Sequence, residues 1–125
     1  MNAQEIENGL SQFTGTEQWH KHFLGMLYTD GIEYLAEQTG AYWLIDLVAS
    51  WQPHIRKRLQ AAGERDFQVW RLRQTRGRRY VVDTWMDMPG DSMKLATQNI
   101  PYSDFPLAII EFYVEDGMML LKSER

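Results

Sequence analysis

Side chains able to do chemistry fall in three places along this chain. His20 and His22 stand two residues apart, so an extended backbone would set both imidazoles on one face. Such a pair can hold a divalent metal once a third ligand closes in, and Asp30 or Glu17 would be that ligand. The spacing fixes no third position. Two imidazoles hydrogen-bonded to their surroundings are the simpler expectation, and no metal site is assigned. Asp46 is the only charge in the apolar run YWLIDLVASW. With His20 and Ser50 it would make the acid of a small hydrolase. A carboxylate in such a run is costly unless it lies on an exposed seam or pairs with an Arg or His. A structural role for Asp46 is therefore the expected one, with partner binding as its functional alternative. The third place is basic. Arg71, Arg73, Arg76, Arg78 and Arg79 crowd one predicted hairpin, near Tyr80 and Trp85. Arginines on a β-ribbon contact phosphates and aromatic rings stack on bases. A solvated edge hairpin that discourages strand addition has the same composition.

The basic residues are unevenly spread. Nine of the 13 lie from Arg56 to Arg79, against two acids there, a net of +7. The rest of the chain, four bases against fifteen acids, carries −11. The molecule is electrically two-sided if folding does not interleave these segments. An overall isoelectric point of about 5.3 speaks against a dedicated nucleic-acid binder. The chain has no cysteine, which excludes disulfides, thiolate nucleophiles and cysteine-held metals. G-x-S-x-G, P-loop, G-x-G-x-x-G and H-E-x-x-H patterns are all missing, so neither an enzyme nor a cofactor is expected.

The elements that must position these groups follow from periodicity. With 125 residues and 44% apolar content, the chain should form one domain, 1–125, with a core that needs no staple. The polar start MNAQEIENGL is not a signal peptide, and no apolar run nears the roughly 20 residues that span a bilayer, so a soluble cytoplasmic protein is expected. Residues 2–13 read as a short amphipathic helix with Asn2 and Glu5 as its cap pair. The stretch 14–27 fits a helix or an extended segment about equally. Asp30 is placed as the N-cap of a helix ended by Gly40, and a buried helix follows from Ala41 to Trp51, stopping before Pro53. Its polar stripe is Tyr42, Asp46 and Ser50. A short basic helix ends at Gly63.

From Phe67 the period becomes that of strands. A three-residue loop, Thr75–Gly77, would put Leu72 opposite Tyr80 and Trp70 opposite Val82. Met93, Leu95 and Thr97 would share one side of the next strand. Asp116-Gly117 demands a type I′ turn, which pairs Glu115 with Met118 and Phe112 with Leu121. The expected fold is α+β, with N-terminal helices on one face of an antiparallel sheet of about five strands.

FTGTEQW at 13–19, YTDGIEYLAEQTGAYWLID at 28–46, FQVWRL at 67–72, YSDFPL at 102–107 and EDGMMLLKSE at 115–124 together resemble a family of short bacterial and phage- or plasmid-borne proteins, classed as a domain of unknown function. The resemblance covers most of the chain and is weaker over 53–66 and 74–100. It implies an intracellular protein carried on mobile DNA and brings over no catalytic residue. A small protein-binding module is the expected function, for instance an antagonist of a host defence system such as an anti-CRISPR. Its partner would be another protein. A nucleic-acid binder using the arginine hairpin 71–79 is the alternative, and a small hydrolase a further one.

Overall fold

The computed structural model describes residues 2–90 and 92–125. Three helices, α1 (Ala3–Leu10), α2 (Asp30–Thr39) and α3 (Tyr42–Ala61), lie against one face of a sheet. The strands are β1 (His20–Lys21), β2 (Leu27–Tyr28), β3 (Phe67–Arg76), β4 (Arg79–Trp85), β5 (Lys94–Ile100), β6 (Ile109–Glu115) and β7 (Met118–Leu121), in the spatial order β1-β2-β7-β6-β3-β4-β5. A 3-10 turn over Lys122–Glu124 follows. The α+β class is as expected. Among the described residues the sheet has seven strands rather than about five, and it is mixed, because β2 runs parallel to β7. The two extra strands are the two-residue arms of a hairpin that begins in the ambiguous stretch 14–27 and ends one residue beyond it. That stretch is extended because the Leu27 N–H reaches the Gly117 carbonyl (2.9 Å) and the Thr29 N–H the Met119 carbonyl (3.2 Å). These partners lie some ninety residues away, where local pattern carries no information.

The helices show which local signals hold. Asn2 caps α1, its side chain accepting from the Glu5 N–H at 2.8 Å. Gly40 ends α2 in the left-handed region at φ 69°. The N-cap of α2, however, is Thr29 and not Asp30. The Thr29 hydroxyl accepts from Ile32 N–H (3.3 Å) and donates to Glu124 Oε1 (2.6 Å). Glu124 also accepts from Leu121 N–H at 2.9 Å and from Gly31 N–H at 3.1 Å. The Glu124 side-chain carboxylate thus fills the anion position at the start of α2.

Pro53 does not end its helix; α3 runs through it for 20 residues. Proline there costs a hydrogen bond and a clash, about 3 kcal/mol. The stripe Ile45, Val48, Gln52, Ile55 and Leu59 is buried along the whole helix, and burying Ile55 and Leu59 alone returns roughly 1.5–3 kcal/mol each. Trp51 and Arg58 latch α3 to β5. The indole donates to Gln98 Oε1 at 2.7 Å and the guanidinium to the Leu95 carbonyl at 2.6 Å.

In the sheet, the Asp116-Gly117 turn has φ 50° and 82°, both positive as type I′ requires, and the expected register Glu115–Met118 through Phe112–Leu121 is present. The β3–β4 register is displaced by two residues from the expected one. Trp70 faces Thr84, Leu72 faces Val82 and Gln74 faces Tyr80. The turn itself is the two-residue Gly77-Arg78, and an irregularity between Gln74 and Arg76 restores the facing of the strands. A shift of two preserves side-chain alternation, so Trp70, Leu72, Tyr80 and Val82 still point at the helices. A second irregularity faces Leu95 of β5: Thr84 pairs with Ala96 and Trp85 with Lys94. Leu95 is buried in the core while Thr97 donates to Asp83 Oδ1 on the outer face, so the two do not share a side. Trp70 stacks on Phe112 at the centre of the core, 6.1 Å between centroids.

Candidate functional site

The extended backbone that a His-x-His metal pair requires is present at β1, yet the two rings go to different carboxylates. His20 Nε2 lies 3.0 Å from Asp30 Oδ1 and His22 Nε2 lies 2.7 Å from Asp46 Oδ1. Asp30 also accepts from the N–H groups of Glu17 (2.9 Å) and Gln18 (3.2 Å). The Glu17 bond first, then the His20 contact, and then the Gln18 bond hold its carboxyl below the ordinary range. The Leu24 N–H donates to His22 Nδ1 at 3.1 Å, so the proton of a neutral His22 sits on Nε2 and points at Asp46. Both ring nitrogens of His22 are therefore occupied. Neither is free to ligate a metal. Among the described residues, no group of three or more His, Asp or Glu is placed to hold a metal ion.

The imagined hydrolase does not assemble either. Asp46 meets His22 rather than His20, and the Ser50 hydroxyl donates to the Leu47 carbonyl at 2.7 Å within its own helix. Asp46 is exposed on α3 while His22 is almost wholly buried. The pair pins the β1–β2 loop to the helix.

The nine basic residues of 56–79 do not form one patch, because folding interleaves them with acids. Arg56 pairs with Asp66 at 3.2 Å, and Arg65 pairs with Glu115. Arg71 Nε meets Glu111 at 3.0 Å, which also receives Lys122 at 3.1 Å. Burial pushes the Glu111 carboxyl up, but the Arg71 and Lys122 contacts outweigh it and leave it below the ordinary range. The hydrogen bond from Arg125 is the main cause that lowers Glu115. Arg73 lies 3.7 Å from Asp83, which is buried and also draws Lys94 at 3.6 Å. Of the five arginines of the hairpin, Arg71 and Arg73 are thus engaged on the outer sheet face. Arg76, Arg78 and Arg79 are exposed at the tip.

The feature that sequence reasoning missed is apolar. Hairpin 19–28 exposes Phe23 (85%), Trp19 (56%) and Leu24 (56%) to solvent. The loop is held by the bond from Gly25 N–H to the His22 carbonyl (2.8 Å), that from His22 N–H to the Met26 carbonyl (2.8 Å), and the His22–Asp46 pair. Gly25, at φ 101°, makes the turn. Between this loop and α3 lies a cleft of about 660 Å³, with Leu24 and Met26 on one side and Ala49, Gln52 and Pro53 on the other. Pro53 has no N–H, so the Ala49 carbonyl on that wall lacks its helical donor. Gln52 exchanges amide hydrogen bonds with Gln68 at 3.0 and 2.8 Å, and Gln68 accepts from the Trp70 indole at 2.9 Å, so the floor is internally satisfied. The available signal was HFLGML, an apolar run that fits a helical stripe and an extended segment about equally, so that neither pattern claims its side chains for the core.

Among the described residues, no helix is long and apolar enough to cross a membrane. No curated protein and no solved structure matches the chain. One family model does match, over residues 4–125, nearly the whole length. The chain accordingly belongs to the family of unknown function DUF6876.

Proposed function

We propose that this domain acts by binding another protein, through the apolar hairpin 19–28 and the cleft beside it. The observation that carries the reading is Phe23, an aromatic side chain 85% exposed on a loop held by two backbone bonds and the His22–Asp46 hydrogen bond. A large apolar group presented on a pre-ordered loop loses little conformational entropy when it docks, and aromatic anchors of this kind dominate interface energies. Leu24 and Trp19 extend the surface, and Ala49 and Pro53 line the cleft wall beside it. An antagonist of a host defence assembly, such as an anti-CRISPR, is the specific form we infer, because such a protein needs only to cover its target. Support for it is the docking loop together with the spent hydrogen-bonding capacity of His22 and Ser50. The nucleic-acid reading of the entire hairpin 71–79 is weakened, since Arg71 and Arg73 are held by Glu111 and Asp83.

The test is affinity capture from a host lysate with the parent protein and with the variant Phe23→Glu, Leu24→Glu, each with and without nuclease. A partner retained by the parent after nuclease treatment and lost by the variant is the expected outcome. A partner held equally by both proteins, or one released by nuclease, would refute the reading.

A further inference from the structure

The tip of the β3–β4 hairpin has a different character from the docking loop and lies at the other end of the sheet. Leu27 pairs with Met118 and Phe67 with Glu115, which places the 22–26 loop beside the Asp116-Gly117 turn. The Gly77-Arg78 turn closes the opposite end of β3, ten residues or about 30 Å away along the strand. At this tip Arg76 and Arg79 are direct cross-strand partners. Like charges placed opposite each other are destabilising. Here no acidic side chain offsets them: among the described residues neither arginine has an ion-pair partner, and Asp104 in the adjoining loop pairs with none of the tip arginines.

Arg78, between them, is already organised. Its guanidinium lies over the Tyr102 ring at 5.5 Å and donates to the Tyr102 hydroxyl at 3.3 Å. The Ser103 N–H donates to the Arg78 carbonyl at 2.9 Å, which fastens the Tyr102 loop to the turn. The Tyr102 side chain is 67% exposed. Three guanidinium groups within four residues, beside an open aromatic ring, combine the two contacts that hold an unpaired nucleotide strand: charge on phosphate and a face for a base. A duplex would satisfy the first contact and conceal its bases from the second.

We propose that Arg76, Arg78, Arg79 and Tyr102 form a binding site for single-stranded nucleic acid. The phosphates offset the Arg76–Arg79 repulsion and one base stacks on Tyr102. The chain's net charge of −4 opposes the encounter at long range, so binding is micromolar at low salt and fades toward physiological salt. The site is independent of the protein-docking loop, and a strand and a protein partner can be held at once.

The experiment is fluorescence anisotropy of the full chain with a short labelled single strand across a salt series. Three engaged phosphates give a log–log slope of about −2, at about −0.7 each. Tyr102→Ala is expected to weaken binding roughly tenfold and Tyr102→Phe to leave it within about twofold, since stacking needs only the ring. Arg76→Glu with Arg79→Glu should abolish binding. Lys21→Glu with Lys57→Glu, which changes net charge equally at two exposed lysines elsewhere, should retain most of it. All four arms are surface variants, and a thermal melt of each establishes that it is folded. Four results would overturn the site: no binding at low salt, equal loss in the lysine control, parental affinity in Tyr102→Ala, or a duplex or polyglutamate bound as tightly as the single strand.

Discussion

Glu124 is the second-last residue of the chain, yet the structure makes it a tie between the C-terminus and the start of α2. Its carboxylate accepts from the Thr29 hydroxyl at 2.6 Å, Leu121 N–H at 2.9 Å and Gly31 N–H at 3.1 Å. A hydrogen bond to a charged group contributes about 1.5–3 kcal/mol, and a carboxylate at a helix N-terminus about 0.3–1 kcal/mol more. Glu124 is half-buried, so water reaches part of what its removal uncovers, and the three bonds share one group. Taking the low end, Glu124→Ala should cost about 2–4 kcal/mol. At about 4 °C per kcal/mol for a chain of this length, the melting temperature should fall by about 8–16 °C. Thermal unfolding followed by circular dichroism, with urea titration at fixed temperature, measures both. Gly31→Ala is the companion variant. A Cβ there would lie 2.5 Å from Glu124 Oε1 and 2.6 Å from Leu121 Cδ1, so this substitution should destabilise even though alanine favours a helix by about 1 kcal/mol over glycine. A Glu124→Ala protein melting within about 2 °C of the parent, or a stabilised Gly31→Ala protein, would show that the C-terminus does not dock on α2 as described.

Three other outcomes are expected. Phe112→Ala should cost about 3–5 kcal/mol in chemical denaturation, because Phe112 is fully buried against Trp70, whereas Tyr113→Ala on the half-open outer face should cost clearly less; equal losses would contradict the burial of the two faces. Asp46→Asn should loosen the 22–26 loop, read as faster amide exchange there and a lower melting temperature; an Asn variant that melts and exchanges like the parent but no longer captures its partner would make Asp46 a contact residue instead. The Glu111 and Glu115 carboxyls are held below the ordinary glutamate value of about 4.3, so the stability they contribute is fully present above that pH and is lost as pH falls through their folded values. The urea midpoint should therefore drop steeply on acidification below about pH 4, and Glu111→Gln should flatten that drop; an unchanged profile in the variant would remove Glu111 from the account.

Short-range chemistry was readable in the residues themselves. Asp116-Gly117 accepts positive φ at both turn positions, and the alternation on either side then sets a register that needs no other information. Asn2 caps α1 and Gly40 ends α2 through bonds reaching only a few residues. The inward faces of β3 and β4 were legible even where their register was not, because an error of two residues leaves side-chain alternation intact. Asp46, Tyr42 and Ser50 lie on an exposed seam of α3 as their spacing implied.

What tertiary structure decided are the choices in which a distant group changes the balance. Pro53 is tolerated in α3 because the sheet buries Ile55 and Leu59. Residues 19–28 become a hairpin because β7 provides a free edge for β2. Thr29 displaces Asp30 as the cap because Glu124 arrives to share the site. The candidate surfaces follow the same division. The arginines were visible as a cluster in sequence, but Glu111 and Asp83, brought alongside by strand pairing, determine that Arg71 and Arg73 are spent while Arg76, Arg78 and Arg79 stay open. Exposure of Phe23 was invisible, since an apolar residue in a short segment is normally taken up by the core. Burial is a property of the whole packed chain, and only the packed chain shows which apolar side chain is left outside it.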